Sequence, residues 1–347
     1  MKLTLHNACA QASDFTDNDE YLWLVDAVTF ESQEWQPWKK KFQTVRSCLL
    51  DIRDNSIPIG LVPSVRALAK ANSIPVDMVN ARERPGGEPN LAILDLLMRT
   101  IRNFQREGAE KMLKQTIGIV KAPPGSGKTL IAVAVMAAKP DINWVVFCPK
   151  DVLVDQMAAE YEYNLCEKPG IIKKGVWKPG RVTIMTYSQA TSKSEEVLPI
   201  LEAADGFIID EVHFGGEMAR SAINNCKNAF YRFGLSATPL DRSDKKNIAT
   251  IAATGPLIYE ISTQEVVDLG LVSKPEIKFV TYYHDPDSSA ARYSETAAIY
   301  RARIANNKER NKLVCAVIEQ AAKPCMAFVL RNEHVAALYD DLKKQGL

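Results

Sequence analysis

The stretch from Gly118 to Met136, G-I-V-K-A-P-P-G-S-G-K-T-L-I-A-V-A-V-M, has the residue types and the spacing of a phosphate-binding loop. An apolar β-branched run leads into a Pro/Gly turn, and an apolar segment suited to a helix follows it. Gly125 and Gly127 let successive backbone N–H groups face one point, to which the helix adds its positive N-terminal end. The predicted phosphate-binding residues are Pro124, Gly125, Ser126, Gly127, Lys128 and Thr129.

Two side chains at the end of this loop complete a nucleotide site. Lys128 can reach the β- and γ-phosphates, and the Thr129 hydroxyl can bind Mg²⁺. The strict pattern begins with glycine, whereas this sequence has Ala122 at that position. The alternative interpretation is a glycine-rich turn that only looks like a phosphate loop, and the later motifs argue against it.

The second group of reactive residues lies in Gly206 to Phe214, G-F-I-I-D-E-V-H-F. An apolar strand there delivers two adjacent acids at its C-terminal end, which is where open α/β sheets bind their ligands. We expect Asp210 to bind Mg²⁺ through water, and Glu211 to orient or deprotonate the attacking water. Lys128, Asp210 and Glu211 are therefore the predicted catalytic residues, and Thr129 and Asp210 the predicted metal ligands.

An alternating pattern of strand-like and helix-like segments surrounds these motifs from Leu91 to about Gly270. It predicts an α/β fold with a doubly wound parallel sheet. Trp144–Cys148 and Val182–Met185 read as strands of this sheet, and Leu96–Leu113 reads as a helix. In such a sheet the motifs at the strand ends meet along one edge.

The spellings A-x-x-G-x-G-K-T, D-E-V-H and S-A-T, in this order and each at a strand end, resemble motifs I, II and III of the superfamily 2 helicases. The resemblance implies a RecA-like motor domain that uses ATP and Mg²⁺. It also implies that His213, Ser236, Ala237 and Thr238 couple the nucleotide site to the rest of the protein. For His213, a merely structural polar contact is the alternative.

Further matches to this family predict ligand contacts outside the three motifs. Arg102 and Gln105 are similar to an R-x-x-Q element in which the glutamine amide contacts adenine, although a solvated helix face would give the same pattern. The resemblance also implies contacts with the nucleic-acid backbone, and ordinary strand-to-helix loops are the alternative for them. The residues predicted to make these contacts are Pro149, Lys150, Thr186 and Arg331.

Residues 1–90 form a predicted small α/β unit that ends in a linker, A-R-E-R-P-G-G-E-P-N. Within it, Trp35 to Lys41 (W-Q-P-W-K-K-K) follows an acidic stretch and could contact a sugar-phosphate backbone while a ring stacks on a base. The alternative places Trp35 and Trp38 in the core. The unit looks like the N-terminal domain of phage UvsW-type recombination helicases, which implies a grip on duplex or branched DNA.

The expected domains are this accessory unit at 1–90, a RecA-like domain at 91–272, and the start of a second RecA-like domain at 273–347. Ser273–Pro275 is the expected hinge, and Cys325–Leu330 an expected strand resembling motif IV. No match to motifs V and VI, which carry arginines in this family, follows. We therefore expect a truncated motor that binds ATP but hydrolyses it poorly, because an arginine finger contributes about 10³–10⁵ in rate.

Composition limits the class of protein but does not identify the substrate. Of the 347 residues 46% are hydrophobic and 24% charged, which is typical of a globular protein, and a net charge of +1 does not reveal a nucleic-acid surface. Seven cysteines without a C-x-x-C pair, with four histidines, argue against a zinc site or a disulfide framework. With no signal peptide or membrane span in the sequence, we expect a cytoplasmic protein, in the host cytoplasm if phage-encoded.

The predicted function is an ATP-dependent DNA helicase or translocase that unwinds or branch-migrates DNA in replication, recombination or repair. We expect a monomer that binds single-stranded, duplex or branched DNA and meets replication or recombination proteins. Three alternatives stay open: the motor of a restriction or remodelling enzyme, an RNA helicase, and an ATP-gated nucleic-acid binding module that does not translocate.

Overall fold

The chain divides into two compact units, Met1–Lys274 and Pro275–Leu347. We describe the architecture from a computed structural model. The residues that it describes are 1–36, 38–39, 41–192, 194–214, 222–240, 247–274, 276–282, 296–321 and 325–344. Among them, no helix is both long and apolar enough to cross a membrane.

Residues 1–80 form a small α/β layer that begins the first unit. Its elements are β1 (Lys2–Leu5), β2 (Cys9–Ser13), α1 (Asn18–Ala27), β3 (Thr29–Gln36), β4 (Lys41–Cys48), β5 (Ser56–Pro58), α2 (Val62–Ala71) and β6 (Asp77–Asn80). Four strands make one sheet in the order β5-β2-β1-β6, antiparallel except between β1 and β6. The other two strands, β3 and β4, pair only with each other as an antiparallel ribbon.

An eight-stranded sheet forms the rest of the first unit, in the order β10-β9-β11-β8-β12-β13-β7-β14. Its strands are β7 (Ile117–Lys121), β8 (Trp144–Cys148), β9 (Gly170–Lys173), β10 (Val176–Lys178), β11 (Val182–Thr186), β12 (Gly206–Asp210), β13 (Tyr231–Ser236) and β14 (Leu257–Glu260). All neighbours are parallel except β9 and β10 at one edge. This result confirms the predicted α/β class and its parallel sheet.

Helices cover both faces of the sheet, as short parallel crossovers require. They are α3 (Asn103–Gln115), α4 (Lys128–Ala138), α5 (Asp151–Leu165), α6 (Tyr187–Ser192), α7 (Ser194–Glu202), α8 (Asn247–Thr254) and α9 (Thr263–Asp268). Every residue of α4 from Leu130 to Ala138 is buried. An all-apolar helix is therefore stable here because it lies inside the core and presents no face to water.

The helix that precedes the phosphate loop is shorter than the sequence predicted. Leu91–Leu96 is a 3₁₀-helix, and α3 begins only at Asn103. Arg102 has an extended backbone and precedes the helix, so the prediction of one helix through Leu96–Leu113 is wrong. The reason is local, since the Arg102 backbone N–H donates to the Gln105 side chain at 2.9 Å and caps the helix there.

The described part of the second unit is helical. Its helices are α10 (Thr296–Tyr300), which runs into a π-helical turn at Arg301–Ala305, α11 (Lys308–Gln320) and α12 (Asn332–Lys344). The predicted strand at Cys325–Leu330 is wrong, because residues 325–329 have no regular secondary structure. A strand needs a hydrogen-bonded neighbour, and the described residues of this unit supply none. Pro275 of the expected hinge lies outside the described residues.

The predicted linker Ala81–Asn90 is irregular, but it is bound tightly to the larger sheet. The Arg82 guanidinium donates to Thr116 Oγ1 at 2.9 Å and to the Phe230 carbonyl, and lies 4.2 Å from the Phe230 ring centroid. The fully buried Lys139 Nζ donates to the carbonyls of Pro85 at 3.0 Å and Gly87 at 2.6 Å. These contacts hold residues 1–80 against the nucleotide-binding part of the same unit.

We expect Arg82→Ala to lower the free energy of unfolding by about 1–3 kcal/mol, because it leaves partly buried acceptors without their charged donor. Arg84→Ala is the matched control, since Arg84 is exposed and pairs with Glu88 at the surface; its loss should stay below about 1 kcal/mol. Urea denaturation of the two variants measures the difference. Equal losses would mean that Arg82 does not hold the linker.

Candidate nucleotide-binding site

The phosphate loop lies between the end of β7 and the start of α4, as predicted. Gly125 and Gly127 both have φ of +80°, a conformation that favours glycine. A Cβ at Gly127 would lie 2.4 Å from Gln105 Nε2, and one at Gly125 would lie 2.5 Å from Val272 Cγ1. Both glycines are therefore required by backbone shape and by close neighbours, in a loop that opens into a helix N-terminus.

The two acids lie at the end of β12, two strands away from β7 in the sheet order. Glu211 has φ of +50°, a left-handed backbone that is uncommon for glutamate. Its Oε1 lies 3.4 Å from Lys128 Nζ, so motifs I and II form an ion pair. Asp210 is 8% exposed, and its Oδ1 accepts the Glu211 backbone N–H at 3.1 Å.

Burial raises the pKa of Asp210 to about 6, and the neighbouring Glu211 charge adds to the rise. Lys128 and the backbone hydrogen bond act in the opposite direction but do not cancel it. A carboxylate held in this way gains from a nearby cation. A bound divalent metal would therefore stabilise the ionised form of Asp210.

Motif III contacts Glu211 through one buried hydroxyl, that of Ser236. Ser236 is fully buried; its Oγ lies 3.3 Å from Glu211 Oε2 and 2.6 Å from His213 Nδ1. His213 Nδ1 is also 3.3 Å from Glu211 Oε2. The Thr238 backbone N–H donates to Ser236 Oγ at 3.1 Å. The structure therefore connects Lys128 to the exposed Thr238 through Glu211 and Ser236, while the half-buried Ala237 contributes no side-chain hydrogen bond.

Gln105 lies beneath the phosphate loop and is fully buried. Its Nε2 donates to the Ser126 carbonyl at 2.8 Å, and its Oε1 accepts the Arg102 backbone N–H at 2.9 Å. Ser126 Oγ in turn donates to the Pro123 carbonyl at 2.7 Å. The adenine contact of Gln105 stays a prediction, and the contacts present here instead support the shape of the loop. The Arg102 side chain is exposed.

The predicted nucleic-acid residues of the first unit follow neighbouring parallel strands. Lys150 is exposed and Pro149 half-buried after β8, whereas Thr186 at the end of β11 is only 2% exposed. Thr186 Oγ1 lies 3.1 Å from Ser188 Oγ, and Ser188 is the exposed hydroxyl that sequence reasoning missed. Arg331 is exposed in the second unit.

The donor set fits a nucleotide with Mg²⁺. The described residues contain no cluster of three or more His, Cys, Asp or Glu side chains that would hold a metal without other ligands. Mg²⁺ commonly uses one or two carboxylates together with substrate phosphates and water. Thr129 and Asp210 would hold this ion beside the phosphates at the helix N-terminus.

Comparisons with known proteins agree with this geometry. The family described as "Type III restriction enzyme, res subunit" matches residues 97–241. The "DNA 3'-5' translocase XPB2" of Sulfurisphaera tokodaii is 30% identical over 169 residues, which cover 48% of this chain and 37% of that protein. The "DNA 3'-5' helicase XPB" of Kineococcus radiotolerans is 30% identical over 182 residues, covering 50% and 32%. The chain thus spans about a third of these two relatives.

Solved structures support the same fold. Two crystal structures of the UvsW helicase from bacteriophage T4 match with a TM-score of 0.61 and 16% identity. One match covers 75% of this chain and 100% of that chain, and the other covers 99% and 73%.

A glycine loop, an acid pair and a serine-histidine contact at adjacent strand ends define a RecA-like P-loop nucleotide-binding domain. Within that class, the order of the motifs resembles that of the superfamily 2 helicases, and the matched relatives are named as a DNA 3'-5' translocase and a DNA 3'-5' helicase.

We expect Asp210→Asn to stabilise the nucleotide-free protein at pH 8 by about 1–3 kcal/mol. The pKa of Asp210 is about 6 in the folded chain, above the ordinary 3.8, so its ionisation opposes folding. That cost is absent below about pH 4, grows as the pH rises to 6 and is complete at pH 8. The variant's gain should therefore shrink between pH 8 and pH 5 in urea titrations.

Asp268→Asn is the matched control, because Asp268 is exposed on α9; it should change stability by less than about 0.5 kcal/mol. A gain for Asp210→Asn that does not depend on pH would contradict the buried-charge explanation. The same variant should lose most of the stabilisation that ATP with Mg²⁺ provides, since the amide is a poorer Mg²⁺ ligand.

We expect Gln105→Ala to weaken ATP and GTP binding equally, by about 5- to 10-fold, because the Ser126 carbonyl loses its donor and the loop loses its support. Equilibrium titration with fluorescent analogues of both nucleotides measures the change. A loss restricted to ATP would instead establish adenine reading. Gln115→Ala, at the other end of α3, is the control.

Proposed function

We propose that this chain is the ATP-binding motor part of a DNA helicase or translocase. The observation that carries the proposal is the continuous contact from Lys128 through Glu211 to Ser236 and His213. It links the residues that would face a γ-phosphate to motif III. A protein that only bound a nucleotide would not need this relay.

Each residue of the site has a role in this proposal. The loop N–H groups and Lys128 hold the phosphates, and Thr129 and Asp210 hold the Mg²⁺, which neutralises charge on the phosphate oxygens. Glu211 orients the attacking water and accepts its proton. In the structure Lys128 pairs with Glu211, so a bound phosphate would compete for the lysine and release the carboxylate for water.

Ser236 would transmit the effect of hydrolysis from Glu211 to motif III. Its hydroxyl contacts Glu211, His213 and the backbone of Thr238, so any movement of the Glu211 carboxylate changes a hydrogen bond at motif III. We propose that His213, Ser236, Ala237 and Thr238 couple the nucleotide state to the grip on DNA in this way.

We propose that DNA lies along the carboxyl edge of the large sheet. Lys150 and Ser188 follow the parallel neighbours β8 and β11, and Lys174 follows β9 at the same edge. All three are exposed and suited to phosphate contacts. Pro149 and Thr186 would assist. For the second unit by itself, we propose that Arg331 contacts the nucleic-acid backbone. Binding should therefore depend on salt and tolerate any sequence.

We also propose that these 347 residues hydrolyse ATP slowly by themselves. The sequence has no match to motifs V and VI, whose arginines would contact the γ-phosphate. Such an arginine contributes about 10³–10⁵ in rate in related hydrolases. ATP binding would remain, because the loop, Lys128 and the metal ligands are all present.

For the biological role, we propose unwinding or branch migration during replication, recombination or repair, by a monomer in the cytoplasm. The names of the matched relatives, a DNA 3'-5' translocase and a DNA 3'-5' helicase, support DNA as the substrate. The second candidate is a motor subunit of a restriction enzyme, which the family match at residues 97–241 favours.

The testing experiment measures ATP hydrolysis by the chain without nucleic acid, with branched or single-stranded DNA, and with RNA. We expect slow hydrolysis that DNA stimulates more than RNA does. Stimulation by RNA alone would select an RNA helicase. A requirement for a second subunit with nuclease activity would select the restriction motor.

Lys128→Ala provides the matched variant for this experiment. It should remove the stabilisation by ATP with Mg²⁺ and reduce hydrolysis by at least about 100-fold, because the β- and γ-phosphates lose their cation. Lys121→Ala, which removes a lysine paired with Glu260 at the start of the loop, should retain nucleotide binding. Normal ATP affinity in Lys128→Ala would remove this lysine from the site.

A further inference from the structure

The two-stranded ribbon of β3 and β4 lies outside the four-stranded and eight-stranded sheets of the first unit. Eight residues of each strand pair in antiparallel register, from Thr29 opposite Cys48 to Gln36 opposite Lys41. Neither strand joins a larger sheet. At about 3.3 Å per residue, the ribbon is roughly 26 Å long. A two-stranded ribbon of this length is rarely stable for its own sake.

The turn of the ribbon carries an exposed aromatic side chain and basic residues. Trp38 is 76% exposed, which shows that the core alternative for this residue is wrong. Phe42, just beyond the turn, is 65% exposed. Lys39 and Lys41 lie beside them and are exposed as well. The Trp35 side chain lies outside the described residues.

Charge distinguishes the turn from the rest of the accessory layer. From Trp35 to Leu50 the sequence contains Lys39, Lys40, Lys41 and Arg46 and no acidic residue. Arg46 is compensated by Asp26 at 3.1 Å near the base of the ribbon. Among the described residues, Lys39 Nζ donates to a neutral partner, Gln43 Oε1, at 3.3 Å. The basic residues of this stretch are therefore concentrated at the turn.

We propose that this turn binds nucleic acid at unpaired bases, with Trp38 stacked on a base and Lys39 and Lys41 on the adjoining phosphates. The proposal rests on the proposed DNA motor function and adds its preferred substrate, DNA with a junction between paired and unpaired strands. Inside a duplex, base faces are covered by their neighbours. An indole ring gains a stacking partner only at a single strand, an end or a junction.

The chemistry of the turn favours nucleic acid over a protein partner. An aromatic ring flanked by lysines matches the alternation of bases and phosphates along a strand. Protein interfaces are instead depleted of lysine at their centre. The ribbon also belongs to the same compact unit as the nucleotide loop.

The test compares Trp38→Ala with the unaltered full chain, without nucleotide and at one salt concentration. The probes are a labelled fork and a labelled single strand, with relaxed closed-circular duplex as the competitor. We expect fork and single-strand affinity to fall by about 5- to 50-fold, the usual effect of losing one stacked base. Affinity for the circular duplex should change by less than about 2-fold.

Three further variants sharpen the assignment. Trp38→Phe should recover most of the affinity, because a smaller ring still stacks. The double change Lys39→Gln with Lys41→Gln should weaken binding and flatten the salt dependence by roughly 1–2 in log–log slope. Tyr163→Ala is the control, since Tyr163 is a half-exposed ring on α5, and it should behave like the unaltered chain.

The outcomes separate this inference from the motor function. Stabilisation by ATP with Mg²⁺ should be the same in every variant, because the ribbon does not touch the nucleotide site. If Trp38→Ala binds forks as tightly as the unaltered chain, the inference is overturned and the ribbon becomes a protein-docking surface. If its affinity for circular duplex falls as much as that for forks, stacking on unpaired bases is overturned. If the unaltered chain binds no DNA, the proposed function itself fails.

Discussion

The Glu211 carboxylate contacts side chains from all three motifs, and the rest of the site depends on these contacts. One oxygen lies 3.4 Å from Lys128 Nζ, and the other lies 3.3 Å from both Ser236 Oγ and His213 Nδ1. The sheet makes this possible because β13 lies between β12 and β7, with Asp210 opposite Leu235 and Ser236 opposite Lys121. A change of strand order or register would separate the three motifs although each kept its sequence.

Much of this arrangement follows from the sequence, because motif residues at the ends of parallel strands must share one edge. The sequence was less informative where single hydrogen bonds and packing decide where an element begins or which side chain is exposed. It predicted a helix through Leu96–Leu113, but a side-chain cap at Gln105 starts the helix at Asn103. It predicted a nucleic-acid contact for Thr186 without showing that packing leaves this residue only 2% exposed, next to the exposed Ser188. Apolar composition predicted a strand at Cys325–Leu330, but composition cannot supply a pairing neighbour.

The predicted linker Ala81–Asn90 shows that composition alone is a poor guide to the flexibility of a segment. Arginine, proline and glycine in Ala81–Asn90 are typical of a flexible linker. In the structure, Lys139 and Arg82 hold that segment through buried hydrogen bonds. Burial lowers the pKa of Arg82 to about 10, so the guanidinium stays charged at neutral pH and the cost of burying it is met by its acceptors and the Phe230 ring. These contacts attach the segment to the larger sheet.

The crowding at Gly125 limits what mutational data can say about the phosphate loop. A side chain there would meet Val272 whether or not a nucleotide is bound, and the positive φ adds strain of its own. A screen that scores only folding would therefore find this position as intolerant as one that scores ATP turnover. Intolerance at Gly125 is therefore not evidence of phosphate contact.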